Sequence, residues 1–133
     1  MKKLMTLIIC FLLLFGVSGC TTKEEAKDII TYQNISASDA KDKLDSESDI
    51  ILLDVRTHEE YETEHIPGSI LIPLSELEDR AIAELSNKDL MIIVYCASGG
   101  RSKTASNILV NLEYTNVYNL TGGISAWIYE IEQ

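Results

Sequence analysis

The chain has 133 residues, enough for one ordinary domain, and carries 21 acidic against 11 basic side chains for a net charge of −10. That balance offers no basic stripe to neutralise phosphates, so nucleic acid is excluded as a partner, and attraction to an anionic lipid surface by charge is excluded with it. The three cysteines, Cys10, Cys20 and Cys96, fall in very different contexts.

Met1-Lys2-Lys3 gives a positive start, Leu4 to Phe15 is nearly unbroken apolar sequence, and Val17-Ser18-Gly19-Cys20 ends it in small residues. This is the pattern of a secretory signal peptide over residues 1–19, with an apolar stretch too short for a comfortable membrane span. Its Val-Ser-Gly-Cys ending resembles a bacterial lipobox. The resemblance implies cleavage before Cys20 and lipid on that residue, placing the chain outside the cytoplasm on a membrane of unspecified envelope. Loss of Lys2 and Lys3 then takes the net charge from −10 to −12. Residues 20–31 are polar and charged and read as a tether to a domain over 32–133. Cys10 leaves with the leader and Cys20 is consumed, so Cys96 remains as the single thiol and has no partner for an internal disulfide.

From Tyr32 onward helix and strand signals alternate. Ser36-Ala37-Ser38-Asp39 resembles a capping box opening a helix to about Leu44. Ile50-Ile51-Leu52-Leu53 is a continuous apolar run, the mark of a strand buried on both faces, closed by Asp54-Val55-Arg56. Thr57 caps a short helix through Tyr61, and Ile66-Pro67-Gly68-Ser69 is a turn before the brief segment Ile70–Ile72. Ser75-Glu76-Leu77-Glu78 reads as a second capping box, with Leu77, Ile82 and Leu85 on one helical face. A second buried strand runs from Leu90 to Tyr95 and ends at Cys96. A helix follows from about Ser102 to Leu112, then a strand over 116–120, a turn at Thr121-Gly122-Gly123, and a last helix from Ile124 to about Ile131. Strands separated by helices predict an α/β domain with a mainly parallel central sheet of about five strands flanked by helices. Working groups in such sheets lie at the carboxyl ends of strands, where Asp54 and Cys96 both sit.

Cys96-Ala97-Ser98-Gly99-Gly100-Arg101 is the segment with chemistry in it. A strand, a tight loop and a helix N-terminus gather N–H groups around the sulfur, and with Arg101 beside it they favour thiolate over thiol. Gly99 and Gly100 suit unusual backbone angles and close approach. The reading requires an ionised sulfur that solvent can reach. Asp54 and Arg56 are supporting residues, fixing neighbouring loops by hydrogen bonds and an ion pair. His65 reads as a structural turn residue, His58 as solvated. Ser98 either donates to a bound anion or is simply small. Gly122, Gly123 and Trp127 read as a turn and a core anchor. No His/Cys cluster has metal-ligand spacing, and no cofactor is expected.

Asp54-Val55-Arg56, Glu60-Tyr61, His65-Ile66-Pro67-Gly68-Ser69-Ile70 and Pro73 resemble the N-terminal signature of rhodanese-like domains. Cys96 to Ser102 resembles that family's active-site loop, and Gly122-Gly123-Ile124-Ser125-Ala126-Trp127 its C-terminal signature. Glu64 stands where the family usually has glycine, and Ser69 where alanine is common. The resemblance implies a single-domain sulfurtransferase of rhodanese-like fold. In it Cys96 takes sulfur from a small donor such as thiosulfate and hands it to a thiol or cyanide acceptor. Cysteine-dependent phosphatases resemble the loop too, but with one more residue between cysteine and arginine, so phosphoryl chemistry is disfavoured. Two rivals remain: a docking or sulfur-relay module for an unknown membrane protein, and a thiol-responsive sensor, which lacks a resolving cysteine.

Overall fold

The computed structural model describes residues 30–133. The expected leader, Cys10, Cys20 and most of the expected tether lie outside the described residues. The described strands are β1 (Gln33–Ile35), β2 (Ile50–Asp54), β3 (Ile70–Leu71), β4 (Met91–Tyr95) and β5 (Val117–Leu120). They form one sheet in the order β1-β5-β4-β2-β3, with every neighbouring pair parallel. The helices are α1 (Ala37–Ser46), α2 (His58–Thr63), α3 (Leu77–Glu84) and α4 (Gly100–Asn111).

The two apolar runs become the centre of the sheet because each must bury both faces. β2 and β4 pair in register from Ile50↔Met91 to Asp54↔Tyr95. Alternate side chains then feed two cores. Leu53, Ile92, Val94 and Cys96 pack with Leu77, Ala81, Ala105 and Leu109 of α3 and α4. Leu52, Met91, Ile93 and Tyr95 pack on the other side with Ala40 of α1, Ile66, Ile124 and Trp127. Cys96 therefore leaves the sheet on the α4 side.

Local signals hold where a cap is available. Ser36 Oγ accepts from the Asp39 N–H at 3.1 Å and opens α1. Thr57 and Glu60 form a reciprocal capping box on α2. The second expected box does not form. Ser75 lies inside a 3-10 turn, Leu74–Glu76, that winds straight into α3, with Glu76 N–H bonded to Pro73 O. The buried face of α3 is Leu77, Ala81 and Leu85, while Ile82 is 58% exposed. Tyr114 Oη fixes that rotation, donating to Ala81 O and Leu85 O at the end of α3.

One strand has no counterpart in the sequence reading, and one expected helix is lost. β1 is an edge strand of three residues in which only Ile35 is buried, too short and polar to show an apolar pattern. The last helix is absent: a single 3-10 turn, Ile124–Ala126, gives way to extended chain at Trp127. Burial of the indole turns the backbone aside and leaves Ile128 83% exposed. Trp127 Nε1 donates to Glu130 O at 3.0 Å. The terminal segment then bridges antiparallel to His65 through two backbone bonds with Glu132.

Candidate active site

Cys96 is the first residue past β4, and α4 begins four residues later at Gly100. Gly99 makes that short connection possible. Its φ of +110° is a left-handed conformation, and its N–H donates to Cys96 Sγ at 3.1 Å. The Ser102 N–H reaches the same sulfur at 3.4 Å, and Ser102 Oγ lies 3.4 Å away. Gly100 has no unusual angle and open space where a Cβ would stand, so of the two glycines only Gly99 is required by its conformation.

The loop is clamped from beneath by the turn read from sequence as merely structural. Ile124 N–H donates to Cys96 O at 2.9 Å and Ser125 N–H to Ala97 O at 3.0 Å. Gly123, at φ +60°, lets these strands of backbone touch, because a Cβ there would lie 2.4 Å from Cys96 O.

Burial pushes the Cys96 thiol up, but the hydrogen bond with Ser102 Oγ and those from the N–H groups of Ser102, Gly99 and Ser98 outweigh it and hold the thiol below its ordinary value. Arg101, which attracts the sulfur anion, is a lesser cause of this. Its guanidinium makes two bonds to the Glu60 carboxylate, at 2.7 and 2.8 Å, tying the loop to α2. Glu60 is in turn held down to about 2, chiefly by Arg101. The expected access to solvent is not met either: Cys96 is 1% exposed. The sulfur is enclosed, yet in a cradle of polar donors.

Asp54 and Arg56 stand behind the loop as a buried pair. Arg56 Nε contacts both carboxylate oxygens at 3.0 Å, Nη2 one of them at 2.6 Å, and Nη2 also reaches Glu64 O at 2.7 Å. Glu64 is extended, with φ −163°, so this turn does not need the glycine usual there. Ser69 bonds Tyr95 Oη at 3.0 Å, where alanine would leave that group one partner fewer. His65 stacks on Tyr61 and meets Tyr61 O and Glu132, none of them a partner of the sulfur. Ser98 is exposed at the loop's outer edge and Lys103 on the first turn of α4. Glu60, Ser102 and Asn119 were not singled out by sequence. Glu60, as half of the Glu60-Tyr61 pair, and Ser102, as the last residue of the Cys96–Ser102 stretch, left a signal; Asn119 left none. Among the described residues no cluster of His, Cys, Asp or Glu could hold a metal ion.

A family model described as a rhodanese-like domain matches residues 36–130. The chain belongs to the rhodanese-like domain family. It is 41% identical over 110 residues to YrkF of Bacillus subtilis, a candidate sulfur carrier protein, covering 83% of this chain and 58% of that one. It is 32% identical over 96 residues to the thiosulfate sulfurtransferase GlpE of Coxiella burnetii, covering 72% of this chain and 87% of the relative. The solution structure of a rhodanese-like domain from Anabaena sp. superposes with a TM-score of 0.71 at 31% identity, covering 77% of this chain and 80% of that chain. The five-stranded parallel sheet flanked by helices is the rhodanese-like fold.

Proposed function

We propose that this rhodanese-like protein is a sulfurtransferase that carries sulfur as a persulfide on Cys96. The observation that carries the reading is the sulfur's seat, 3.1 Å from the Gly99 N–H and 3.4 Å from the Ser102 N–H at the start of α4. Preorganised donors of this kind stabilise an anion without reorganising. The Cys96 thiolate attacks the outer sulfur of a donor such as thiosulfate, an S–S bond forms, and sulfite leaves with the electron pair. A thiol or cyanide acceptor then attacks the outer sulfur, and the Cys96 thiolate is released as leaving group. The naming of GlpE as a thiosulfate sulfurtransferase supports this choice of donor.

Enclosure of the sulfur favours a second reading, a relay module. At 1% exposure a donor must thread its terminal sulfur between the loop amides, and a docked partner that opens the loop would deliver it faster. Intact mass after incubation with thiosulfate decides between them. A gain of one sulfur atom in the wild type and not in Cys96→Ala supports the enzyme; equal labelling of both, or of neither, supports the relay module.

We further propose that the leader pattern ending at Cys20 places this activity outside the cytoplasm on a lipid anchor. Radiolabelled fatty acid supplied to expressing cells should enter the wild type and not Cys20→Ala; equal incorporation refutes the anchor.

A further inference from the structure

Behind the sulfur lies a chain of polar side chains that the transfer chemistry above does not use. Ser102 Oγ is 3.4 Å from Cys96 Sγ, 2.6 Å from Asn119 Oδ1 and 3.2 Å from Gly99 O. Asn119 Nδ2 continues to Asn34 Oδ1 at 3.0 Å. Ser102 and Asn119 are buried, whereas Asn34 is exposed on β1, where it shares a cavity of about 290 Å³ with Asn119, Ser98 and Lys103.

A serine hydroxyl has one proton, and here three acceptors compete for it. The shortest contact gives it to Asn119 Oδ1. Ser102 then turns lone pairs toward the sulfur and accepts from an S–H, which suits the neutral thiol. Turning the Asn119 amide by half a turn exchanges its oxygen and nitrogen within the same volume. Nδ2 then donates to Ser102 Oγ, Oδ1 accepts from a likewise turned Asn34 amide, and the Ser102 proton is free to point at a sulfur anion. Every buried polar atom keeps a partner in both arrangements, so neither carries the penalty of an unmade bond.

We propose that Asn119, held from outside by Asn34, is a positioning residue whose amide orientation decides whether Ser102 directs its proton at Cys96. The inference rests on the carrier reading of Cys96 and deepens it. The hydrogens are only redirected; the proton lost from the thiol goes to a base in solvent. Charged groups around the loop are already engaged, Arg101 with Glu60 and Arg56 with Asp54, and Lys103 is the remaining charge on the first turn of α4. β1, β5 and the Ile124–Ala126 turn contribute no charged side chain to this region. Tyr95 at the end of β4 is occupied by Ile66 and Ser69.

The exposed end of the chain of amides provides the test. In full-length protein, alkylation of Cys96 by iodoacetamide is followed against pH on the Cys96 peptide, so Cys10 and Cys20 do not contribute. Asn34→Asp offers only acceptors, pins the Ser102 proton on Asn119 and should raise the ionisation midpoint. Asn34→Lys offers only donors and should lower it. A separation of about half a pH unit, roughly threefold in thiolate below the midpoint, is expected between them. The separation should vanish in a Ser102→Ala background and survive 1 M salt, which screens surface charge within about 3 Å. No separation, one that persists without the Ser102 hydroxyl, or one that salt abolishes overturns the inference. Sulfur loading from thiosulfate, measured in parallel on the wild type, is unaffected by that failure and reports on the carrier reading alone.

Discussion

Replacing Gly123 by alanine tests whether the Gly122-Gly123 turn belongs to the active-site loop. The new Cβ would lie 2.4 Å from Cys96 O and 2.6 Å from Ala97 O. Both obstacles are backbone, so a peptide must shift by about 0.6 Å merely to reach the 3.0 Å limit that real Cβ atoms respect. A shift of that size breaks or weakens the Ile124–Cys96 and Ser125–Ala97 bonds, at about 1 kcal/mol each. The backbone at φ +60°, ψ −155° is a conformation that only glycine adopts readily, and strain there adds roughly 1–3 kcal/mol. The total is about 4 kcal/mol, which for a domain near 100 residues lowers the melting temperature by roughly 15–30 °C. Gly100→Ala provides the contrast. Nothing lies within 4 Å of its Cβ position, and the residue opens α4, so the change should be neutral or stabilising by up to about 1 kcal/mol. Thermal and urea unfolding measure both. Equal stabilities for the two variants would refute the claim that the turn clamps the loop.

Glu60→Gln removes the partner of Arg101. Both side chains are more than a third exposed, at 35% and 38%, so solvent screening limits the loss of stability to about 0.5–1 kcal/mol, while the freed guanidinium should lower KM for thiosulfate. In the wild type, Glu60 sits at about 2 against an ordinary 4.5, so its stabilisation is full above pH 4.5 and is lost as pH falls toward 2; melting temperature against pH should show that step, absent in Glu60→Gln. Asp54→Asn leaves Arg56 charged, buried and without its carboxylate, and should cost about 3–5 kcal/mol in urea unfolding. Tyr95→Phe strands the Ile66 N–H and should cost about 1–3 kcal/mol, more than Ser69→Ala, which leaves the phenol its Ile66 donor; melting curves of the two variants rank them.

What could be read from sequence was what local physics dictates. β2 and β4 announce themselves because a strand covered on both faces must be apolar throughout. α1 and α2 carry side-chain caps within three residues of their starts. The loop from Cys96 to Arg101 is contiguous, so its chemistry was visible in one glance along the chain. The misreadings share a tertiary cause. Ile124 to Ile131 satisfies a helical pattern, but the buried Trp127 and the Glu132–His65 bridge pull it open. Arg101 stands beside Cys96 in sequence, yet its charge is claimed by Glu60, 41 residues earlier. Asn34 and Asn119, separated by 85 residues, meet only because β1 returns to pair with β5.

These displacements change the account of how the sulfur is ionised. A protein with net charge −10 is a poor environment for another anion, and the nearby arginine, engaged by Glu60, is not the main compensation. Neutral donors supply most of it: the backbone N–H groups of Gly99 and Ser102, fixed by the Gly99 turn and the first turn of α4. Dipoles at hydrogen-bond distance act over one atom's width, so they hold one charge on one sulfur well and a larger, doubly charged group poorly. Four residues between Cys96 and Arg101 already make a small ring. Gly123 and its neighbours prevent that ring from widening, because any outward movement of Cys96 or Ala97 breaks the bonds to Ile124 and Ser125. A tetrahedral phosphate would need both a wider ring and an uncommitted guanidinium; a persulfide needs neither.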